Sequence, residues 1–157
     1  FEEGSKGRIL IIEGKCKKPS KEEAFAETLN LIKHLIADEN IAPGQYNGLT
    51  AHKAFANALL TYTWEDNFEP YLNVMCNYKQ YLDRQYAIKF FNDNGRQDLA
   101  QYYEKIATLS NHLAQQIPQD FSAFDLFNDK ENLKPYCDVL LQICDLEKQA
   151  VELMNKK

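Results

Sequence analysis

The sequence predicts a mainly α-helical bundle of about five helices, preceded by one N-terminal β-strand. Glycine and proline, which interrupt helices, number only 6 and 5 among 157 residues, so we expect few turns and long helices. From residue 20 onward, apolar side chains recur at intervals of three and four residues, the period of an amphipathic helix. A chain of this length has the size of one ordinary domain, so residues 1–157 are treated as a single helical domain.

Residues 8–12 are the one segment that predicts a strand, because they are short, rich in β-branched residues and flanked by glycines. A single strand cannot satisfy its own backbone hydrogen bonds. We therefore expect this strand to pair with a missing N-terminal part of the same protein or with a second copy. The pairing residues are Ile9, Leu10, Ile11 and Ile12.

The chain begins at Phe1 rather than at methionine, which together with the unpaired strand suggests the C-terminal part of a larger protein. In this interpretation residues 1–19 are the strand and a basic loop, and residues 20–157 are helices. Ser20 and Glu23 have the spacing of a capping box, which predicts a first helix over residues 21–38. Its inward residues are Phe25, Leu29, Ile32 and Ile36, with Leu31 and Leu35 beside them.

A turn that contains Pro43, Gly44 and Gly48 separates this helix from a second one over residues 49–61. The second helix is narrow, because Ala51, Ala54, Ala56 and Ala58 lie on more than one of its faces. Such a helix allows close approach either of another helix or of a ligand. The sequence leaves these two interpretations open.

A long third helix is predicted over residues 69–92, a fourth between Gly95 and Pro118, and a last helix into which Pro135 leads. The predicted inward residues of the third helix are Leu72, Met75, Tyr78, Leu82, Tyr86 and Phe90. Those of the fourth are Leu99, Tyr102, Ile106, Leu109, Leu113 and Ile117. Those of the last are Leu133, Cys137, Leu140, Cys144, Val151 and Met154. Between the fourth and last helices, a short helix or turn carries Phe121, Phe124 and Phe127.

The composition excludes several classes of function. A net charge of −5 disfavours general nucleic-acid binding, and no apolar run is long enough to span a membrane. The four cysteines show no zinc or thioredoxin-like spacing, and no cofactor is expected. Cys137 and Cys144 lie roughly 10 Å apart along one helical face, too far for a disulfide, so they are expected to be buried thiols. Free thiols without a signal peptide favour a cytoplasmic location.

Two groups of residues are candidates for binding. Lys17, Lys18 and Ser20 precede a helix start and would suit an anion, although clustered lysines are more often a solvated loop. A small-molecule site is predicted around the narrow helix and the aromatic, acidic segment "TYTWEDNFEP" that follows it. Its residues would be Tyr46, His52, Tyr62, Trp64, Tyr102 and His112. The alternatives are that Trp64 plugs the end of the bundle and that the histidines are packed or solvated.

Four segments together resemble a known family. The strand "GRILIIEGK", the capped helix "KPSKEEAFAETLNLIKHL", the helix "YNGLTAHKAFANALL" and the end "LLQICDLEKQAVELM" are similar to the C-terminal part of proteins similar to butirosin biosynthesis protein H. The matching positions are Gly48, Leu49, Ala51, Glu147 and Ala150. The family's named member passes an acyl group from a carrier protein to an aminoglycoside amine, with a Cys, His and Asp of its papain-like N-terminal half. The resemblance therefore implies an accessory helical domain and no catalytic residue in this chain.

Three functions are consistent with these observations. The first is a non-catalytic accessory domain of a larger bacterial protein, which shapes a small-molecule or acyl-carrier binding site. The second is a ligand-sensing domain of a transcriptional regulator, and the third is an interaction or dimerisation domain without a ligand. Catalysis by this chain alone is the least expected, because the sequence shows no nucleophile beside a base.

Overall fold

The computed structural model describes residues 17–36, 48–61, 80–116 and 128–156, and these residues form a bundle of helices. The helices are α1 (Lys21–Ile36), α2 (Gly48–Thr61), α3 (Gln80–Asp93), α4 (Gln97–Gln116) and α5 (Lys130–Met154). The prediction of a mainly helical bundle is confirmed. The predicted strand at residues 8–12, the first part of the predicted third helix and the segment with Phe121, Phe124 and Phe127 lie outside the described residues.

Local signals in the sequence account for where α1 begins and α3 ends. The Ser20 hydroxyl accepts a hydrogen bond from the Glu23 N–H at 3.1 Å, and the Glu23 carboxylate accepts one from the Ser20 N–H at 2.8 Å. This confirms the predicted capping box. At the end of α3, Gly95 has a φ of +74°, the Gly95 N–H donates to the Asn92 carbonyl, and the Arg96 N–H donates to the Phe91 carbonyl. This pair of bonds is a Schellman motif, which turns the chain directly into α4.

Helix α5 begins five residues before the proline that was expected to lead into it. The Asp129 carboxylate accepts hydrogen bonds from the backbone N–H groups of Glu131 and Asn132 at 3.1 and 3.2 Å, and thereby caps the helix. Pro135 consequently lies inside the helix. A proline is tolerated in the first turn of a helix because the N–H groups there have no partner within the helix, but Pro135 lies beyond that turn and removes one hydrogen bond from α5.

Helices α2 and α5 pack side by side in antiparallel directions. The Cys137 thiol contacts the Ala56 carbonyl oxygen at 3.5 Å, and the Cys144 thiol contacts the Leu49 carbonyl oxygen at 3.6 Å. Residue numbers thus rise along α5 as they fall along α2. One of these contacts is at a small residue of α2, Ala56, and both thiols are buried as predicted. Among the described residues, the alanine-rich α2 is therefore packed closely against another helix.

The core lies between α2, α3, α4 and α5. Its completely buried members are Leu59, Phe91, Leu99, Ile106, Leu140, Ile143 and Ala150. Phe91 and Tyr103 pack ring against ring across the α3–α4 hairpin, with ring centroids 5.1 Å apart. All but one of the inward residues predicted for the described part of α5 are buried; Val151 is partly exposed.

One prediction about α3 is wrong. Tyr86 was expected on the inner face, but it is 74% exposed, and the inner face instead carries Arg84, Ala87, Ile88 and Phe91. Successive residues of a helix are separated by about 100°, so Tyr86 lies nearly opposite to the row formed by these four residues. The sequence pattern was misleading because the inner row contains a charged residue, Arg84, whose burial depends on a distant partner.

Helix α1 lies at the edge of the bundle and has no fully buried residue. Phe25, Leu29 and Ile32 pack partly against the core, and the Phe25 ring lies 5.5 Å from the Phe90 ring, centroid to centroid. The Lys21 ammonium donates to the Asp93 carbonyl oxygen at 3.3 Å. None of the described helices has the length and apolarity required to cross a membrane.

Candidate functional site

Glu147 is the one charged residue on the inner stripe of α5. This stripe repeats every four and three residues through Leu140, Cys144, Glu147 and Val151. Glu147 is 2% exposed, so its carboxylate is almost completely removed from water. A buried carboxylate is costly unless it is paired, and the structure supplies a partner for each of its two oxygens.

His52 on α2 binds the first of these oxygens. Its Nε2 lies 3.2 Å from Glu147 Oε2, and the His52 side chain is also buried. Because a carboxylate can only accept hydrogen bonds, Nε2 carries the proton in this contact. The bond joins α2 to α5 on the same side as the thiol contacts.

Arg84 on α3 binds the second oxygen. Its guanidinium Nη2 donates to Glu147 Oε1, and the Arg84 side chain is 20% exposed. The guanidinium also lies over the ring of Tyr103 on α4, at 5.8 Å from the ring centroid. A cation above an aromatic face is attracted by the electrons of the ring. Four helices therefore meet at this buried charge cluster, which consists of His52, Arg84, Tyr103 and Glu147.

The cluster shifts the acidity of two of its members. Burial raises the pKa of the Glu147 carboxyl, but the hydrogen bond from His52 and the charge of Arg84 outweigh it and hold that pKa below its usual value. Glu147 is therefore ionised at neutral pH. Burial raises the pKa of Tyr103 to about 12, with an opposing effect from Arg84 and a smaller reinforcing one from Glu147. Tyr103 therefore stays neutral, and its aromatic ring contacts the Arg84 guanidinium.

Within the described part of the chain, two buried side-chain polar atoms have no hydrogen-bond partner. One is Arg84 Nε, inside the cluster. The other is the Ser110 hydroxyl, which is two turns along α4 from Tyr103 on the same helical face and is fully buried. A buried donor without a partner is destabilising, and native proteins contain few of them. Arg84 Nε is thus a hydrogen-bond donor available to an oxygen atom.

Of the predicted ligand residues that the structure describes, His52 alone lies in this cluster. Tyr102 is half-buried on a different side of α4 from Tyr103, with the Lys105 ammonium 5.5 Å above its ring. His112 is exposed. Tyr46, Tyr62 and Trp64 lie outside the described residues, so their part in a site stays a prediction.

The predicted anion site has part of its hydrogen-bonding capacity already in use. Lys17 and Lys18 are exposed, but the hydroxyl and the N–H of Ser20 are both engaged by Glu23 in the capping box. The Glu23 carboxylate already accepts the Ser20 N–H, one of the donors that an anion at the helix start would use. An anion bound there would have to displace this carboxylate.

Sequence reasoning missed Arg84, Tyr103 and Glu147 as members of a polar cluster. A signal for Glu147 was present, since it falls on the apolar stripe of α5 where Leu140 and Cys144 precede it. A charged residue at such a position requires a partner of opposite charge. The sequence gives no comparable signal that the partner is Arg84, which is 63 residues away.

The described residues offer little for covalent or metal chemistry. Burial and the neighbouring Asp138 charge raise the pKa of the Cys137 thiol to about 11, so it is protonated at neutral pH and a poor nucleophile. Within the described ranges, no group of three or more His, Cys, Asp or Glu side chains is placed to hold a metal ion. The arrangement is suited to hydrogen bonding and charge pairing.

This chain was compared with protein-family models, curated proteins and solved structures. No protein-family model, curated protein or solved structure matches this chain.

Proposed function

We propose that this chain is a non-catalytic helical domain of a larger bacterial protein and that it shapes a small-molecule or acyl-carrier binding site. The buried charge cluster would be the polar part of that site. The observation that carries the proposal is Arg84 Nε, a buried donor that finds no partner among the residues the structure describes. A ligand that offers a carboxylate, phosphate or carbonyl oxygen would satisfy it.

The position of Arg84 supports this role. Its side chain retains 20% exposure, so part of it reaches the surface, while Nε itself is buried and Nη2 is held by Glu147. Glu147 and the Tyr103 ring fix the plane of the guanidinium. A donor that is already oriented loses little entropy when a ligand binds.

The sequence supports the same location. His52 lies in α2, and the predicted ligand residues Tyr46, Tyr62 and Trp64 lie immediately before and after that helix in the chain. Aromatic groups beside a few fixed polar groups are typical of small-molecule sites. The resemblance to proteins similar to butirosin biosynthesis protein H suggests acyl-carrier or aminoglycoside chemistry for the ligand, and it remains a prediction.

The test is a search for a bound molecule followed by a comparison of variants. The intact mass of the purified chain is measured by mass spectrometry under native and denaturing conditions. Its melting temperature is then measured with carboxylated aromatic, aminoglycoside and phosphopantetheine-type compounds. We expect a co-purified mass, or a melting temperature that rises with ligand concentration.

The control is the double variant Arg84→Gln/Glu147→Gln, which removes both charges and places an uncharged amide at each position. We expect this variant to fold, with an unchanged helical signal, and to lose the ligand response. A wild-type chain with no bound mass and no shift would contradict the proposal. So would a shift that the double variant retains in full, because binding would then occur elsewhere.

A further inference from the structure

The carboxylate of Glu147 binds Arg84 through only one of its two oxygens. An arginine and a carboxylate frequently pair through two parallel hydrogen bonds. Here Oε1 accepts from Arg84 Nη2, whereas Oε2 lies 3.2 Å from His52 Nε2 and is engaged by that nitrogen. The buried Arg84 Nε consequently finds no acceptor among the described residues. The contact with His52 thus accounts for the unpaired donor on Arg84.

The charges of the cluster already cancel. Arg84 contributes one positive charge, and Glu147, whose pKa is held below its usual value, contributes one negative charge. Tyr103 is neutral, and histidine is counted as neutral at pH 7. Glu147 is 2% exposed, so water screens its charge only weakly. A further charge bound in the cluster would therefore be buried without a partner of opposite sign, which is costly.

An oxygen atom bound at Arg84 Nε would lie close to the Glu147 carboxylate. Nε and Nη2 are bonded to the same carbon of a rigid, planar group, so acceptors on these two nitrogens lie within about 5 Å of each other. Two negative charges at this separation repel each other strongly in a poorly solvated site. A carbonyl oxygen carries only a partial charge, so it accepts the same hydrogen bond with much less repulsion.

We propose that the oxygen accepted by Arg84 Nε belongs to an uncharged carbonyl group, such as that of an amide or ester, and not to a carboxylate or phosphate. This inference rests on the function proposed above and narrows the chemistry of its ligand at this position. Any charged group of the ligand then lies away from the cluster, where water can solvate it.

The test compares a carboxylic acid with its primary amide on the same aromatic skeleton. Phenylacetate and phenylacetamide are one such pair, and several pairs are used. Their dissociation constants with the full 157-residue chain are measured by isothermal titration calorimetry. The buffer is held at about pH 8, where an ordinary histidine is neutral. We expect the amide to bind at least about 10-fold more tightly than the acid, because only the acid is repelled by Glu147.

The variant Glu147→Gln sharpens this comparison, because it removes the negative charge and nearly preserves the size of the side chain. Arg84 then carries an uncompensated charge, so we expect the preference to reverse, with the acid bound about 10-fold more tightly than the amide. Circular dichroism first establishes that the variant is folded; the wild-type comparison decides the matter if it is not. The matched control Ser110→Ala removes the other unpartnered buried polar atom and should keep the preference for the amide.

The outcomes distinguish this inference from the proposed function. If acids bind the wild-type chain as tightly as their amides, or more tightly, the site accepts an anion and this inference alone fails. If neither acids nor amides bind, this inference fails, and the proposed function fails with it only when the compounds named above also produce no shift in melting temperature. A preference for the amide that Glu147→Gln leaves unchanged, or that Ser110→Ala abolishes, would place the carbonyl elsewhere and would also overturn it.

Discussion

Helices α1 and α5 have similar sequence patterns and very different positions in the bundle. Both begin with a side-chain cap, Ser20 in one and Asp129 in the other, and both carry apolar residues at intervals of three and four. Helix α5 has nine buried residues, whereas α1 has none. Local pattern therefore determines that a helix forms and which of its faces is apolar. How deeply that face is buried depends on how many other helices pack against it.

The largest loss of stability should appear when Glu147 of α5 is deprived of its partner Arg84, because α1 has no buried charge of this kind. In Arg84→Met the buried Glu147 carboxylate keeps only His52, and breaking one partner of a buried pair costs about 3–5 kcal/mol. We expect this loss in the free energy of unfolding, measured by urea denaturation. Arg84→Met/Glu147→Met should recover most of it, because neither charge remains buried. A double variant as unstable as the single one would show that the cluster contributes through its packing.

The next comparison truncates one leucine on each helix. Leu140→Ala on α5 removes a fully buried side chain and should lower the free energy of unfolding by about 2–5 kcal/mol. Leu35→Ala on α1 removes a side chain that is more than half exposed, and in dilute protein it should change that free energy by less than about 0.5 kcal/mol. Equal losses in urea denaturation would contradict the peripheral position of α1.

A smaller effect should be visible in the pH dependence of stability. The folded-state pKa of Glu147 is lowered, so its contribution is complete above the usual glutamate pKa of about 4.3 and is lost as the pH falls from there through the folded value. The free energy of unfolding should therefore fall with acidification in this window. Glu147→Gln should reduce the slope. A slope in Glu147→Gln equal to that of the wild-type chain would contradict the lowered pKa.

The sequence was sufficient to predict the structural features that depend on neighbouring residues. The capping box at Ser20, the turn at Gly95 and the inward residues Cys137 and Cys144 were all predicted, since each depends on residues within one or two helical turns. The helix class followed from the same short-range patterns. The predicted strand and the aromatic segment around Trp64 stay predictions.

The candidate site could not be predicted in the same way, because its contacts are distant in sequence. His52 and Glu147 are 95 residues apart, and Arg84 reaches Glu147 from a third helix. A charged residue on a helix is ordinarily assigned to the surface, so Arg84 was left off the inner row and Tyr86 was placed on it. The charge that allows Arg84 to be buried is that of Glu147, and this pairing is seen only in the assembled bundle.

The contacts of Cys137 and Cys144 with the backbone of α2 provide a built-in reporter of motion. Each sulfur lies against a carbonyl oxygen of the neighbouring helix, so a thiol reagent can reach it only when α2 and α5 separate. The two cysteines are seven residues apart along the same contact. The ratio of their labelling rates under native conditions would show whether these helices open from one end or separate along their whole length at once.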